Sequence, residues 1–144
     1  AAMPWIILRR AVRTLSVGNG AYFAERLQSG ITVVAQYQQR KIVDLDRHGR
    51  VVRQTQLQGN PFTVRKLEDG NMLVCMFSTG RVEVHGPKGN VVRTIGKFQG
   101  PTSAYRIANG VTLVGDRTGV WSVDREGRRR QLLKRSGMIW ISYY

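Results

Sequence analysis

The chain has 144 residues, a one-domain length, with 42% hydrophobic residues and 16 Gly against 4 Pro. Its 23 Lys+Arg against 9 Asp+Glu leave a formal net charge of +14, which points to an anionic partner: nucleic acid first, then anionic membrane surfaces, acidic glycans or an acidic protein. The single cysteine, Cys75, excludes an intrachain disulfide and disfavours the disulfide-stapled secreted class, and no apolar stretch approaches the length of a membrane span.

Taken from the N-terminus, "AAMPWIILRR" (1–10) carries an apolar segment too short and wrongly flanked for an intact signal peptide. With the lone cysteine, this tilts the expected compartment towards the cytoplasm without excluding export. "MPWIILRRAVRTL" (3–15) is shaped like an outer β-hairpin. Three units of about 40 residues follow, at about 18–56, 59–95 and 100–133. Gly30, Gly70 and Gly110 stand 40 residues apart, each after a short apolar run and before another, "ITVVAQY", "NMLVCMF" and "VTLVGD". Next come "RKIVDLDRHGR", "GRVEVHGPKGN" and "GVWSVDREGR", and the cycle closes on "VVRQTQLQ" and "VVRTIGKF". Each unit reads as four short strands rich in Val, Ile, Leu and Phe, separated by glycine turns whose Asp or Asn neighbours suit tight hairpins. No stretch sustains an i, i+3, i+4, i+7 apolar pattern for three turns, which disfavours a helical array of similar period. "SGMIWISYY" (136–144) is shaped like an inner strand.

A period near 40 residues with four strands is the pattern of a β-propeller blade. The stretch "LEDGNMLVCMFSTGRVEVHGPKGNVVRTIG" resembles blades of the NHL, quinoprotein-like and WD-repeat-like propellers, and the resemblance covers roughly residues 11–133. It implies an all-β propeller-type domain of about three complete blades plus two half-blades, 3–15 with 136–144. It leaves function open, because such rings serve as enzymes, sensors and scaffolds. The outer-hairpin Asp of the family pattern falls on Asp46 and Asp124, whereas the middle copy has Gly86 after His85, and no copy has the Trp-Asp pair of WD repeats. The terminal halves allow a small four-bladed ring, halves exchanged between chains, or a piece of a longer polypeptide.

Catalytic and cofactor patterns are missing from the sequence. There is no nucleophile elbow, P-loop, dinucleotide fingerprint or metal-spaced Cys and His cluster. His48 and His85 read as solvated turn histidines, and Asp44 with Asp46 lack the later ligands of a calcium loop. The expectation is a non-enzyme without cofactor or metal, and Cys75 in "MLVCMF" reads as a small buried hydrophobe.

Positive charge is what recurs. Arg9, Arg10, Arg13, Arg50, Arg53, Arg93, Arg128, Arg129, Arg130, Lys134 and Arg135 fall on outermost strands and their hairpins, densest in "REGRRRQLLKR". They are the candidate polyanion-binding belt, since Lys and Arg on a phosphate backbone release counterions. A second register, Arg26, Lys66 and Arg106, is the candidate ring at a channel mouth. Tyr22, Phe62, Tyr105 and Trp140 recur near one loop column, as packing between blades or as stacking platforms. Three functions follow from these features. The first is a non-catalytic interaction module on nucleic acid or another polyanion. The second is a structural subunit that completes a larger ring or homo-oligomer by blade exchange. The third is an exported ligand- or glycan-binding ring that uses the channel-mouth residues.

Overall fold

Short runs of Val, Ile, Thr and aromatic residues form strands because branched side chains suit a pleated, half-buried surface. In a computed structural model, which describes residues 20–137 and 139–141, these runs make three antiparallel four-stranded sheets. The first contains β1 (Ala21–Arg26), β2 (Thr32–Gln36), β3 (Lys41–Leu45) and β4 (Val51–Gln56). The second contains β5 (Thr63–Lys66), β6 (Met72–Met76), β7 (Arg81–His85) and β8 (Val91–Lys97). The third contains β9 (Ser103–Arg106), β10 (Thr112–Asp116), β11 (Gly119–Val123) and β12 (Arg129–Lys134). Strand order follows chain order in every sheet, as expected for four-stranded repeats. The proposed half-blade 3–15 lies outside the described residues.

The sheets stack face to face, and side-chain alternation decides which neighbour each residue meets. Met72, Val74 and Met76 pack with Val33, Ala35, Ile42, Leu57 and Val64 between the first and second sheets. Leu73 and Cys75 point the other way and join Val82, Val84, Ile95, Phe98, Ala104, Val114 and Val123 between the second and third. The unbroken apolar run of β6 follows from this position, since all five of its residues are buried. Burial of one such aliphatic side chain contributes about 1.5–3 kcal/mol. On the other face of the first sheet Val34, Val43 and Leu45 form a third cluster.

β5 packs against both β1 and β9, so the first strand of each sheet lies along one shared inner edge. At the opposite edges, the pairings of β4, β8 and β12 each contain a register shift, a device that increases local twist. The outer hairpins share one turn. Asp46 Oδ1 accepts the backbone N–H groups of His48 (2.8 Å) and Arg50 (3.0 Å). Asp124 Oδ1 accepts those of Glu126 (3.0 Å) and Arg128 (2.9 Å). In the middle copy the aspartate is replaced by Gly86, where an added Cβ would stand 2.7 Å from Asn90 Oδ1. Gly89 in that turn has φ +89, and an added Cβ would meet the Gln56 carbonyl oxygen of the first sheet at 2.1 Å. Only glycine lets those two backbones approach so closely.

Candidate functional site

The repeat puts Glu25, Arg65 and Tyr105 in one column of the three inner strands. Arg65 pairs with Glu25 and donates a hydrogen bond to the Tyr105 hydroxyl. Its guanidinium also lies 4.3 Å from the Tyr105 ring centroid and 5.0 Å from that of Phe23. A delocalised, weakly hydrated cation suits this position between rings. Tyr105 therefore differs from the expectation that grouped it with Tyr22, Phe62 and Trp140. Those three do cluster, with Phe62 6.0 Å from Tyr22 and 5.7 Å from Trp140 between ring centroids. Tyr105 instead belongs to the layer of Arg65, which it contacts through both its ring and its hydroxyl.

The expected channel-mouth ring is uneven. Arg26 is exposed. Lys66 turns to the first sheet and pairs with Asp44 Oδ2 at 3.0 Å. Arg106 donates from Nε to Thr112 Oγ1 at 3.1 Å. Its pKa is lowered, first by burial and then by the nearby charge of Arg93, with Asp69 opposing. Lys66 and Arg106 share a cleft of about 700 Å³ with Asp69 and Glu68. Opposite charges thus meet where the sequence alone gave a plain cationic ring.

On the outer edge the cations divide into three groups, while Arg9, Arg10 and Arg13 lie outside the described residues. Arg50 and Arg128 fold back on Asp46 (2.9 Å) and Asp124 (2.8 Å) in their own turns. Hydrogen bonds from the Arg50 backbone, above all, hold the Asp46 carboxyl at about 2. Burial pushes Asp124 upward but is outweighed by the Arg128 backbone and side-chain hydrogen bonds, so its pKa is also lowered. Arg53 and Arg93 donate to backbone carbonyls of the following sheet, those of Pro87 and Arg125.

The remaining group sits on the third sheet. Arg129 lies 4.2 Å from the Phe98 ring centroid and 5.7 Å from that of Trp121. It shares a groove of about 510 Å³ with Lys97 and Lys134. Arg130, Lys134 and Arg135 are exposed, and among the described residues their side chains hold no ion pair or hydrogen bond. The acid in the groove, Asp116, is buried and already accepts from Thr118 (2.8 Å), Gln99 (3.1 Å) and the Trp121 indole (3.2 Å).

Three stacked four-stranded sheets along one shared inner edge find counterparts among solved structures. A protein of unknown function from Bacteroides caccae matches with TM-score 0.67 and 24% identity over 82% of this chain and 49% of that one. A streptogramin B lyase matches with TM-score 0.62 and 17% identity, over 77% of this chain and 39% of the lyase. The computationally designed Ika4 protein matches with TM-score 0.62 and 15% identity, over 91% of this chain and 84% of the design. The fold is of the β-propeller type. At these identities the likeness speaks for the fold alone. The chain spans about half or less of the length of the first two of these proteins. No family model matches the sequence, and no curated protein matches it.

Within this propeller-type fold two sites escaped the sequence reading. Lys97 lines the third-sheet groove beside Arg129 and Lys134, a grouping hidden because those cations lie more than 30 residues downstream. His85, expected as a solvated turn histidine, is 1% exposed. The turn packs against the first sheet through Gly89, and that carries the imidazole into the seam between blades.

Proposed function

We propose that this chain is a non-catalytic propeller interaction module that docks on nucleic acid through the cationic groove and edge of its third blade. The observation that carries this reading is the sorting of the arginines. Self-paired Arg50 and Arg128 and carbonyl-bound Arg53 and Arg93 drop out. Lys97, Arg129, Arg130, Lys134 and Arg135 remain, with no carboxylate paired to them among the described residues. Cations left without acidic partners repel one another and are relieved by a polyanion.

The test is salt dependence. With all five cations engaged, log affinity for duplex DNA falls against log salt with a slope of about −4.5. The triple variant Arg130→Ser, Lys134→Ser, Arg135→Ser flattens that slope by about 2.7. An unchanged slope refutes the assignment.

One observation favours a second reading, a subunit completed by blade exchange. Residues 139–141 run beside β9 on the outward side of the third sheet. There Thr102 Oγ1 donates to the Ile139 carbonyl, and Ser103 Oγ accepts the Ile141 N–H at 3.0 Å. A segment held there supports the reading in which a further inner strand is added beside the third sheet. Assembly through such strands rests on backbone pairing and apolar burial, so its oligomeric mass survives high salt whereas polyanion binding does not.

A further inference from the structure

Two arginines of the third blade lie over rings of the second, and in each case a glycine leaves the room. Arg129 covers Phe98 at 4.2 Å from the ring centroid, and a Cβ on Gly96 would stand 2.6 Å from Arg129 Nη2. Arg117 covers Phe77 at 5.1 Å, and a Cβ on Gly100 would stand 2.9 Å from Arg117 Nε and 3.0 Å from Phe77 Cε2. Both arginines are exposed, and neither is paired with a carboxylate among the described residues. A guanidinium held over one ring keeps its second face for another π system.

The two stacks are neighbours. A cleft of about 380 Å³ holds Phe77, Arg117, Lys97 and Phe98, and the third-blade groove shares the last two. At the inner end Phe77 lies 5.1 Å from Phe62, which lies 6.0 Å from Tyr22 and 5.7 Å from Trp140. Tyr22 and Trp140 are 56% and 52% exposed, so each ring has surface left for a ligand. Rings and cations are thus interleaved from the inner strands to the outer edge of the third blade. An acidic peptide or glycan offers charge without regular π faces, and a duplex keeps its base faces inside its own stack. An unpaired strand offers a phosphate for each cation and a base for each ring. We infer that this track binds single-stranded nucleic acid. Bases stack on Tyr22, Trp140 and the outer faces of Arg117 and Arg129, while phosphates meet Lys97 and Lys134. The inference rests on the third-blade groove as a nucleic-acid surface and narrows its partner to an unpaired strand.

The experiment titrates the full chain, by fluorescence anisotropy, with an oligothymidylate of about 12 nucleotides, within the roughly 4–16 that such grooves cover. The comparison is an abasic strand of the same length and charge. The intact strand is expected to bind about tenfold or more tighter, the scale of one base stacked on an aromatic ring. The double variant Tyr22→Ala, Trp140→Ala closes most of that gap with its salt slope unchanged, and Tyr22→Phe, Trp140→Phe keeps the gap. Thermal midpoints establish that the variants fold, and the comparison of the two strands on the unmodified chain needs no variant. Equal affinity for the two strands, with a steep salt slope, overturns the track and leaves the third-blade reading standing. Binding of neither strand overturns both. Heparin binding as tightly as the intact strand assigns the surface to an acidic glycan and also overturns the track. The triple variant at Arg130, Lys134 and Arg135 flattens the salt slope for both strands and leaves their ratio unchanged. An unchanged slope in that variant is the separate failure of the third-blade reading.

Discussion

Arg53 of the first sheet donates from Nη2 to the carbonyl oxygen of Pro87 in the second, 3.1 Å away, and Arg93 repeats the contact one blade on with Arg125. A rim arginine is thereby tied to the outer turn of the next repeat. These two residues are repeat-equivalent because a structural task recurs, and a charge belt on the outside follows from it as much as from any partner.

The first prediction separates the two roles. Arg53→Ala and Arg93→Ala each remove a charge-assisted hydrogen bond between blades and lower stability by about 1 kcal/mol, read as a shifted denaturation midpoint with unchanged slope. Affinity for duplex DNA falls far less than in the triple variant at Arg130, Lys134 and Arg135. A larger loss of affinity at Arg53 than at Arg130 contradicts this division.

Acid brings out the turn aspartates. Asp46 sits at about 2 instead of 3.8, and Asp124 is lowered as well. A depressed carboxyl favours the folded state fully above its unfolded pKa, and that contribution is lost as pH falls through the folded value. Stability therefore drops between about pH 4 and pH 2. The double variant Asp46→Asn, Asp124→Asn keeps the Oδ1 acceptors but has a flatter stability profile across that window, measured by urea unfolding at stepped pH.

Arg65 links the inner strands of all three sheets. Its side chain is 21% exposed, pairs with Glu25, and lies against Tyr105 and Phe23. Arg65→Met strands Glu25 and removes the hydrogen bond to Tyr105, at a cost of about 1.5–3 kcal/mol. Arg65→Lys restores charge but neither the planar fork nor the stacking, so it rescues only part of the loss. Full rescue by lysine shows that charge alone matters there.

Cys75 gives a probe of global opening. Burial pushes its thiol up to about 12, against smaller opposing effects of Thr63 and Arg65. The thiolate is the reactive form, so a thiol reagent at about pH 8 labels the folded chain only through unfolding. Labelling rates should rise in step with denaturant-driven unfolding, and fast labelling of the native chain contradicts the packing described.

Much of the architecture was legible because it is local and repeated. The alternation of short apolar runs with Gly turns specifies strands, their antiparallel order and the 40-residue unit, each decided within a few residues by propensity and hairpin geometry. The burial of Cys75 was legible for the same reason, from an apolar run on both faces of one strand. Charge signs and their repeat were legible too, which is why Arg53 and Arg93 fell in one register.

The use of each charge was decided by tertiary structure. Whether an arginine meets its own turn aspartate, the next blade's carbonyl or an aromatic ring depends on sheets that stack from distant segments, as Arg53 with Pro87 and Arg129 with Phe98 show. His85 reads as a turn residue until the first sheet closes over its turn at Gly89, and only then does its unpaired nitrogen face Glu83. Sequence spacing governs contacts within a hairpin, whereas contacts between blades arise from side-chain direction and packing across separations of 30 to 40 residues, where no local pattern has reach.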